Sequence, residues 1–430
     1  MKSNQSKFVV NDNIVFKMKM LNWSRRFNIF CFLDNNQYDF EQPDFECLLA
    51  AGCKGSVSLE RGLGLKELQN FSDKNKGWLF GHFGYDLLNE KNPVRPIAPN
   101  EIDFKDGFFF IPNILVRLHQ QEVIIECMET DPSEVFEEIN SQSSFIEQRS
   151  AIDPVIKKGI SEADYKTTLT EIKKHILRGD CYEINFCQSF FAEHVSIDPL
   201  FFYHRLSSVS PNPFSALYKL NDKYCLCASP ERFLKKTGTT LISQPIKGTS
   251  KRDLINEQQD EINKNHLLNS DKEKSENVMV VDLVRNDMSK ICKEGSVYVK
   301  ELFGVYSFPQ VHQMITTIEG QVDPALPWTE IINACFPMGS MTGAPKKKVI
   351  ELIDRYEQSP RGLFSGSIGY IDPAGDFDFN VVIRSLMYDD TKKLISFKAG
   401  GGITFNSDVN EEYEESLLKA EAIIRILKNN

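Results

Sequence analysis

The sequence predicts an α+β fold with stacked sheets. Runs with strand character dominate parts of the chain, and helical stripes fall between them. The two types are mixed without steady strand–helix–strand alternation, which disfavours a doubly wound parallel sheet. Bulky and β-branched residues cluster at Phe108, Phe109, Phe110 and Ile111, and again at Val123, Ile124 and Ile125. Both clusters read as strands.

The elements follow in order. Short apolar runs at 27–33, 77–83, 107–118 and 122–127 alternate with polar turns. Gly81-His82-Phe83-Gly84-Tyr85-Asp86 reads as a Gly/aromatic turn with close backbone packing. Residues 140–160 are polar and poor in large apolar groups, a candidate linker between regions 1–150 and 151–430. Ser161 and Asp164 form a capping-box-like start for a helix. Tyr165, Leu169, Ile172 and Ile176 give it one apolar stripe, and Gly179 ends it. Runs 181–191 and 218–228 read as strands. Run 270–288 reads as a helix with Val280, Val281 and Val284 inward, and 345–356 as another with proline near its start. Runs 367–371, 378–388 and 394–399 read as strands. A last helix, 411–428, places Leu417, Ala420, Ile424 and Leu427 on its core stripe.

The 430 residues suit two to three domains, or one large enzyme domain with an appendage. Hydrophobic residues at 41% and charged residues at 26% suit a soluble protein with a sizeable core. A net charge of −10 argues against nucleic acid or an anionic membrane surface as the main partner, since phosphates want a basic face. It leaves room for a small anion in a locally basic pocket. The 10 cysteines include no C-x-x-C pair. Cys225 and Cys227 would share one strand face as buried free thiols, and a reducing cytoplasm fits. No signal peptide and no apolar run of membrane-spanning length is evident.

Few residues suggest chemistry alone. Lys247, in Gln244-Pro245-Ile246-Lys247-Gly248-Thr249, reads by itself as a solvated lysine on a turn. Glu273 and Glu276 are three apart on one predicted helix; Glu412 and Glu415 are three apart on another, with Lys419 four further on. Each set reads as a charged helix face. Two such faces can also converge on a hard cation such as Mg²⁺, which takes few protein carboxylates and keeps room for water and a substrate anion. The glycines of 399–403, placed between a strand and the last helix, let a ligand approach bare N–H groups. Gly339 to Lys346 lacks the Gly-Lys-Ser/Thr ending of a P-loop. It remains a Gly-rich turn feeding a helix N-terminus, suited to a carboxylate. Arg384, in an apolar strand, needs an ion-pair partner or clamps a carboxylate. His312 reads as a satisfied core histidine, and Glu231 as a surface acid.

Together these motifs are specific. Ser229-Pro230-Glu231-Arg232-Phe233, Pro245-Ile246-Lys247-Gly248-Thr249 and Asp282-Leu283-Val284-Arg285-Asn286-Asp287 resemble the chorismate-utilising enzyme family. So do Val311-His312-Gln313, Gly343-Ala344-Pro345-Lys346, Ile383-Arg384-Ser385 and the glycine run. The resemblance is strong over residues 155–430. Region 1–150 resembles the weaker N-terminal part of the amine-transferring members, and 151–430 is the chorismate-binding catalytic part. The implied fold is a sandwich of two stacked, mainly antiparallel sheets with helices outside, the two regions packing as one globule.

The resemblance also implies roles. Lys247, in its Pro-Ile-Lys-Gly-Thr run, marks the branch that makes 4-amino-4-deoxychorismate. It would form a covalent adduct at ring C2 of chorismate, and so needs a lowered pKa. The position at which water-using members carry a lysine base is Glu183 here. Glu231 would be the general acid. Mg²⁺ would sit on Glu276 and Glu415, with Glu273 and Glu412 reaching it through water. Arg384 and the N–H groups of Gly400 and Gly402 would hold the enolpyruvyl carboxylate. Gly248, Thr249, His312, Ser340, Phe364 and Lys419 would line the pocket. Phe364 replaces a carboxylate-binding tyrosine of some members, and Ser340 a threonine. No stretch resembles a glutamine amidotransferase, which implies a separate subunit as ammonia source, and none resembles a fused lyase. Anthranilate synthesis and a non-catalytic chorismate-binding role stand as alternatives.

Overall fold

Alternation along the strands decides which way each side chain faces. In Ile29–Asp34, Phe30 and Phe32 point to one side and Cys31 to the other, and all three are buried. A strand buried on both faces belongs inside a layered protein. The computed structural model describes residues 4–38, 45–62, 64–88, 101–146, 153–309, 311–428. Residues 147–152 of the proposed linker lie outside these.

Among the described residues two sheets, one 12-stranded and one 10-stranded, form a sandwich, and each strand pair is antiparallel. The core between them joins Cys31, Leu48 and Ala50 of the larger sheet to Phe80, Phe83 and Phe109 of the smaller. Cys225 and Cys227 are buried thiols in this same core. Helices cover the outer face of the larger sheet, where Phe16, Leu206 and Ile423 meet Phe30, Phe32 and Leu49. Each sheet draws on both ends of the chain: Ile29–Asp34 pairs with Phe214–Leu220, and Leu79–Phe83 with Ser367–Ile371. No helix among the described residues is long and apolar enough to cross a membrane.

Several expected elements hold. Glu162–Leu177 is a helix whose cap Ser161 accepts from Asp164 N, and Gly179 follows it at φ +79°. Strand Ser367–Ile371 is as read. Others change. Run 218–228 is a hairpin of Phe214–Leu220 and Lys223–Ser229 turning at Asn221, φ +58°. Of the expected turn at 81–86, Gly81, His82 and Phe83 belong instead to strand Leu79–Phe83, and the close backbone packing read there is present: a Cβ on Gly81 would lie 2.0 Å from Phe108 O. Pro345 caps helix Lys346–Tyr356 instead of lying inside it.

Run 378–388 splits. Phe377–Asn380 belongs to the smaller sheet and Ser385–Asp389 to the larger. The chain crosses between sheets over 381–384, so Arg384 lies at a bend, φ +50°, and not in a strand.

The site is carried by strand β1 (Glu183–Ala192), strand β2 (Ile246–Lys251), helix α1 (Asp271–Ser289), strand β3 (Val311–Gln321), strand β4 (Leu394–Ile403) and helix α2 (Val409–Leu427). The glycine run therefore continues β4, with Gly400 opposite Cys187 and Gly402 opposite Asn185. On α2 the buried stripe is Tyr413, Ser416, Ala420, Ile423 and Leu427. The expected Leu417 and Ile424 flank it half-buried, because the stripe alternates by three and four from Tyr413.

Candidate active site

Lys247 owes its direction to a bulge. Ile246 pairs with Ile315 of β3 and Thr249 with Gln313, so Lys247 and Gly248 fall in a register shift. A bulge bends the strand and re-aims a side chain. Gly248 takes φ +99°, and a Cβ there would meet Glu273 Oε2 at 3.0 Å. Asn277 on α1 steadies the bulge: its Nδ2 donates to Lys247 O at 3.4 Å, and its Oδ1 accepts from Thr316 Oγ1 at 2.7 Å.

The ammonium of Lys247 donates to Glu183 Oε1 at 2.6 Å and lies 3.9 Å from Glu276 Oε2. Burial works to lower its pKa. Glu183 and Glu276 outweigh burial and hold it above its ordinary value. The surroundings expected to free a neutral nucleophile thus keep the lysine charged. Gly402 makes room for the pair: a Cβ on it would lie 2.1 Å from Lys247 Nζ and 2.5 Å from Glu183 Oε1. The colliding atoms are side-chain ends, which can swing away. Gly402→Ala is therefore expected to keep its melting temperature within a few degrees of the parent while losing most activity, because Lys247 is displaced. A melting temperature that collapses along with activity would assign the glycine to folding instead.

Glu231 lies just before strand Arg232–Thr237 and is 4% exposed. Ser340 Oγ donates to its Oε1 at 2.5 Å. Burial pushes the carboxyl up to about 7, against the pull of Ser340, Lys247 and Arg384. Burial also draws Arg384 down to about 10, with Glu231 opposing. The Arg384 guanidinium has no hydrogen bond or ion pair among the described residues, so its fork is open to an anion. The amides of Cys187 and Asn185 donate to Glu357 Oε1 and Thr342 O. Opposite them, Gly400 and Gly402 occupy non-hydrogen-bonded positions, with their own N–H groups turned away from β1.

The acidic pairs come from α1 and α2. Burial and Lys247 set Glu276 against each other, and with Glu273 adding repulsion the carboxyl stands at about 7. Burial raises Glu273 and Glu412 too, and each also feels Glu415. Lys419 holds Glu415 low, 2.7 Å away, and donates to Gly400 O at 3.0 Å. Among the described residues no three such side chains close around a common point. The donor set is nonetheless all carboxylate oxygen, from two facing helices, and Gly401 has no side chain between: a Cβ there would lie 3.1 Å from Glu412 Oε2 and 3.7 Å from Glu415 Oε1. That chemistry fits a hard divalent cation completed by water and a ligand.

Other expected residues fare differently. His312 binds Ser307 Oγ through Nδ1 at 2.9 Å and Asp260 through Nε2 at 3.1 Å, so neither ring nitrogen is left for a ligand. Phe364 is buried in the inter-sheet core. Thr249 is exposed. Asp287 and Lys346, both in recognised motifs, pair with each other and tie α1 to helix Lys346–Tyr356.

Sequence reasoning missed the support beneath the site. Arg361, 3% exposed, forms a fork with Glu357 at 2.9 and 2.6 Å. It also donates to Asn185 O at 2.8 Å and Met341 O at 2.5 Å, clamping the segments that carry Glu183 and Ser340. Sequence reading also treated Glu183 only as a residue that cannot activate water, and not as the counter-ion of Lys247.

A family model described as chorismate binding enzyme matches residues 39–425. The chain belongs to the chorismate-binding enzyme family. Within this family it is 33% identical over 355 residues to aminodeoxychorismate synthase component 1 of Salmonella typhimurium, covering 82% of this chain and 77% of that one. The Bacillus subtilis protein of the same name is 30% identical over 375 residues, covering 82% and 77%. Anthranilate synthase component I from Streptococcus pneumoniae superposes with a TM-score of 0.78 at 24% identity, over 90% of this chain and 95% of that one. The menaquinone-specific isochorismate synthase of Escherichia coli gives 0.80 at 16%, over 99% and 94%. These two establish that the fold is that of chorismate-utilising enzymes.

Proposed function

We propose that this enzyme converts chorismate and ammonia to 4-amino-4-deoxychorismate, the precursor of 4-aminobenzoate and hence of folate. The observation that carries the reading is Lys247, set on a bulge between Glu183 and Glu276 with its own glycine gap. Identity to aminodeoxychorismate synthase component 1 along most of the chain supports it.

Arg384 and the outward N–H groups of Gly400 and Gly402 bind the enolpyruvyl carboxylate. Glu276 and Glu415, with Glu273 and Glu412 behind them, would hold Mg²⁺, which when bound neutralises the ring carboxylate. Glu231, largely protonated below its pKa of about 7, gives its proton to the departing C4 hydroxyl. Lys247, once one of its two flanking carboxylates, Glu183 or Glu276, has taken its proton, attacks C2 as that hydroxyl leaves as water. Ammonia then forms the new bond at C4 and the C2–Nζ bond breaks, freeing the lysine. A separate glutamine amidotransferase subunit supplies the ammonia, and the enzyme works in the cytoplasm.

The test is a product assay. Purified chain with chorismate, Mg²⁺ and ammonium is expected to yield an aminated chorismate that a lyase turns into 4-aminobenzoate. Formation of 2-aminobenzoate would instead make it an anthranilate synthase.

A further inference from the structure

The Glu183 carboxylate has one oxygen committed and one free. Oε1 accepts from Lys247 Nζ at 2.6 Å. Oε2 is buried and has no hydrogen-bond partner among the described residues, on a side chain only 3% exposed. A buried acceptor without a donor is costly, more so when it carries charge. The surrounding groups do not relieve it. Lys247 is already engaged on Oε1, Glu276 is itself acidic, and Gly402 presents no side chain.

The missing donor must then come from water or from a ligand. Chorismate offers two carboxylates, which only accept and which Glu183 repels. Its one donor is the ring hydroxyl, which leaves during the reaction. The remaining reactant is ammonia, with three N–H donors, or ammonium, with four and a matching positive charge. Water can donate to Oε2 as well, but lacks the charge of ammonium, so an anionic seat favours ammonium over water.

We propose that Glu183 Oε2 is the seat of the attacking nitrogen, holding ammonia or ammonium beside Lys247. This inference rests on the amination reading above. One carboxylate then serves both partners of the exchange: Oε1 aligns the lysine, and Oε2 takes the proton that ammonium must lose and aligns the resulting ammonia, which bonds to C4 as the C2–Nζ bond breaks and its electron pair returns to Lys247.

Glu183→Gln retains the shape but removes the charge. Ammonium chloride is varied at saturating chorismate, then chorismate at saturating ammonium. The expected result is a rise of about tenfold or more in the ammonium KM, with the chorismate KM changed by less than about twofold. The mass adduct on the Lys247 peptide should still form from chorismate without ammonium. Glu183→Asp, which keeps the charge, should recover part of the ammonium KM. An unchanged ammonium KM with a lowered kcat, or loss of the adduct in Glu183→Gln, overturns the proposal and leaves Glu183 acting only through Lys247. If the unaltered chain makes no amino product, the amination reading falls, and this inference with it. That outcome is read from the parent alone and so is distinct from either variant result.

Discussion

Glu231→Gln is expected to lower amination turnover about 10²–10⁴-fold while the fold is kept. Glutamine keeps the size and an oxygen for Ser340 Oγ, which now sits 2.5 Å from Oε1. It has no acidic proton. The pH dependence separates this from a packing effect. In the parent, burial raises the carboxyl from 4.5 to about 7, so the proton needed for the departing hydroxyl is lost as pH rises through about 7. Activity should fall along the same limb. Stability follows by linkage. With a raised carboxyl pKa the native state binds more protons than the unfolded chain between pH 4.5 and about 7, so the fold weakens over that window as pH rises. The glutamine variant avoids this. It should gain up to about 3 kcal/mol over the parent above pH 7, and nothing below the unfolded carboxyl pKa. Urea melts at pH 5 and pH 8, run beside kcat, check both. A stability difference equal at the two pH values, or parental turnover, removes Glu231 from the acid role.

What the sequence revealed depended on the range of the forces involved. Local signals were legible: the Ser161 cap, the inward valines of α1, the Ser367–Ile371 strand. The two glutamate pairs were legible because helical spacing alone sets their direction. The break at Arg384 was not. An apolar run bordering an arginine looks like a strand until a second sheet takes the chain's next residues, and that pairing joins positions far apart. The glycine run misled in the opposite sense. Glycine disfavours strands, yet β4 continues through it because β1 pairs along its length and Lys247 needs the vacancy at Gly402. Arg361, in Pro360-Arg361-Gly362, drew no reading from the sequence. Its burial depends on carbonyls 176 and 20 residues away, which no local pattern announces. For His312 the plain reading as a satisfied core histidine matches the geometry better than the pocket role the resemblance implied.

Lys247→Ala is expected to remove the covalent adduct and, at the same time, weaken the fold. The lysine pKa is raised above 10.5, so its pairing contribution is fully present at neutral pH and is lost only as pH climbs through the folded value. Deleting it strands Glu183, 3% exposed on its side chain, and leaves Glu276 without the cation that now opposes its burial. Removing one partner of a buried pair costs about 3–5 kcal/mol, mostly from the charge left behind. Glu276 can shed part of that by binding a proton, since it already stands at about 7. The deficit should therefore shrink as pH falls toward 5. Adding Glu183→Gln to Lys247→Ala should restore most of the stability and none of the adduct. Urea melts on the parent, both singles and the double measure the coupling, and mass spectrometry after incubation with chorismate reads the adduct. An adduct that persists on another peptide would refute the covalent assignment. A double variant no more stable than Lys247→Ala would show that the carboxylate is not what the lysine holds in place, and the bulge at Gly248 would then need another reason to exist.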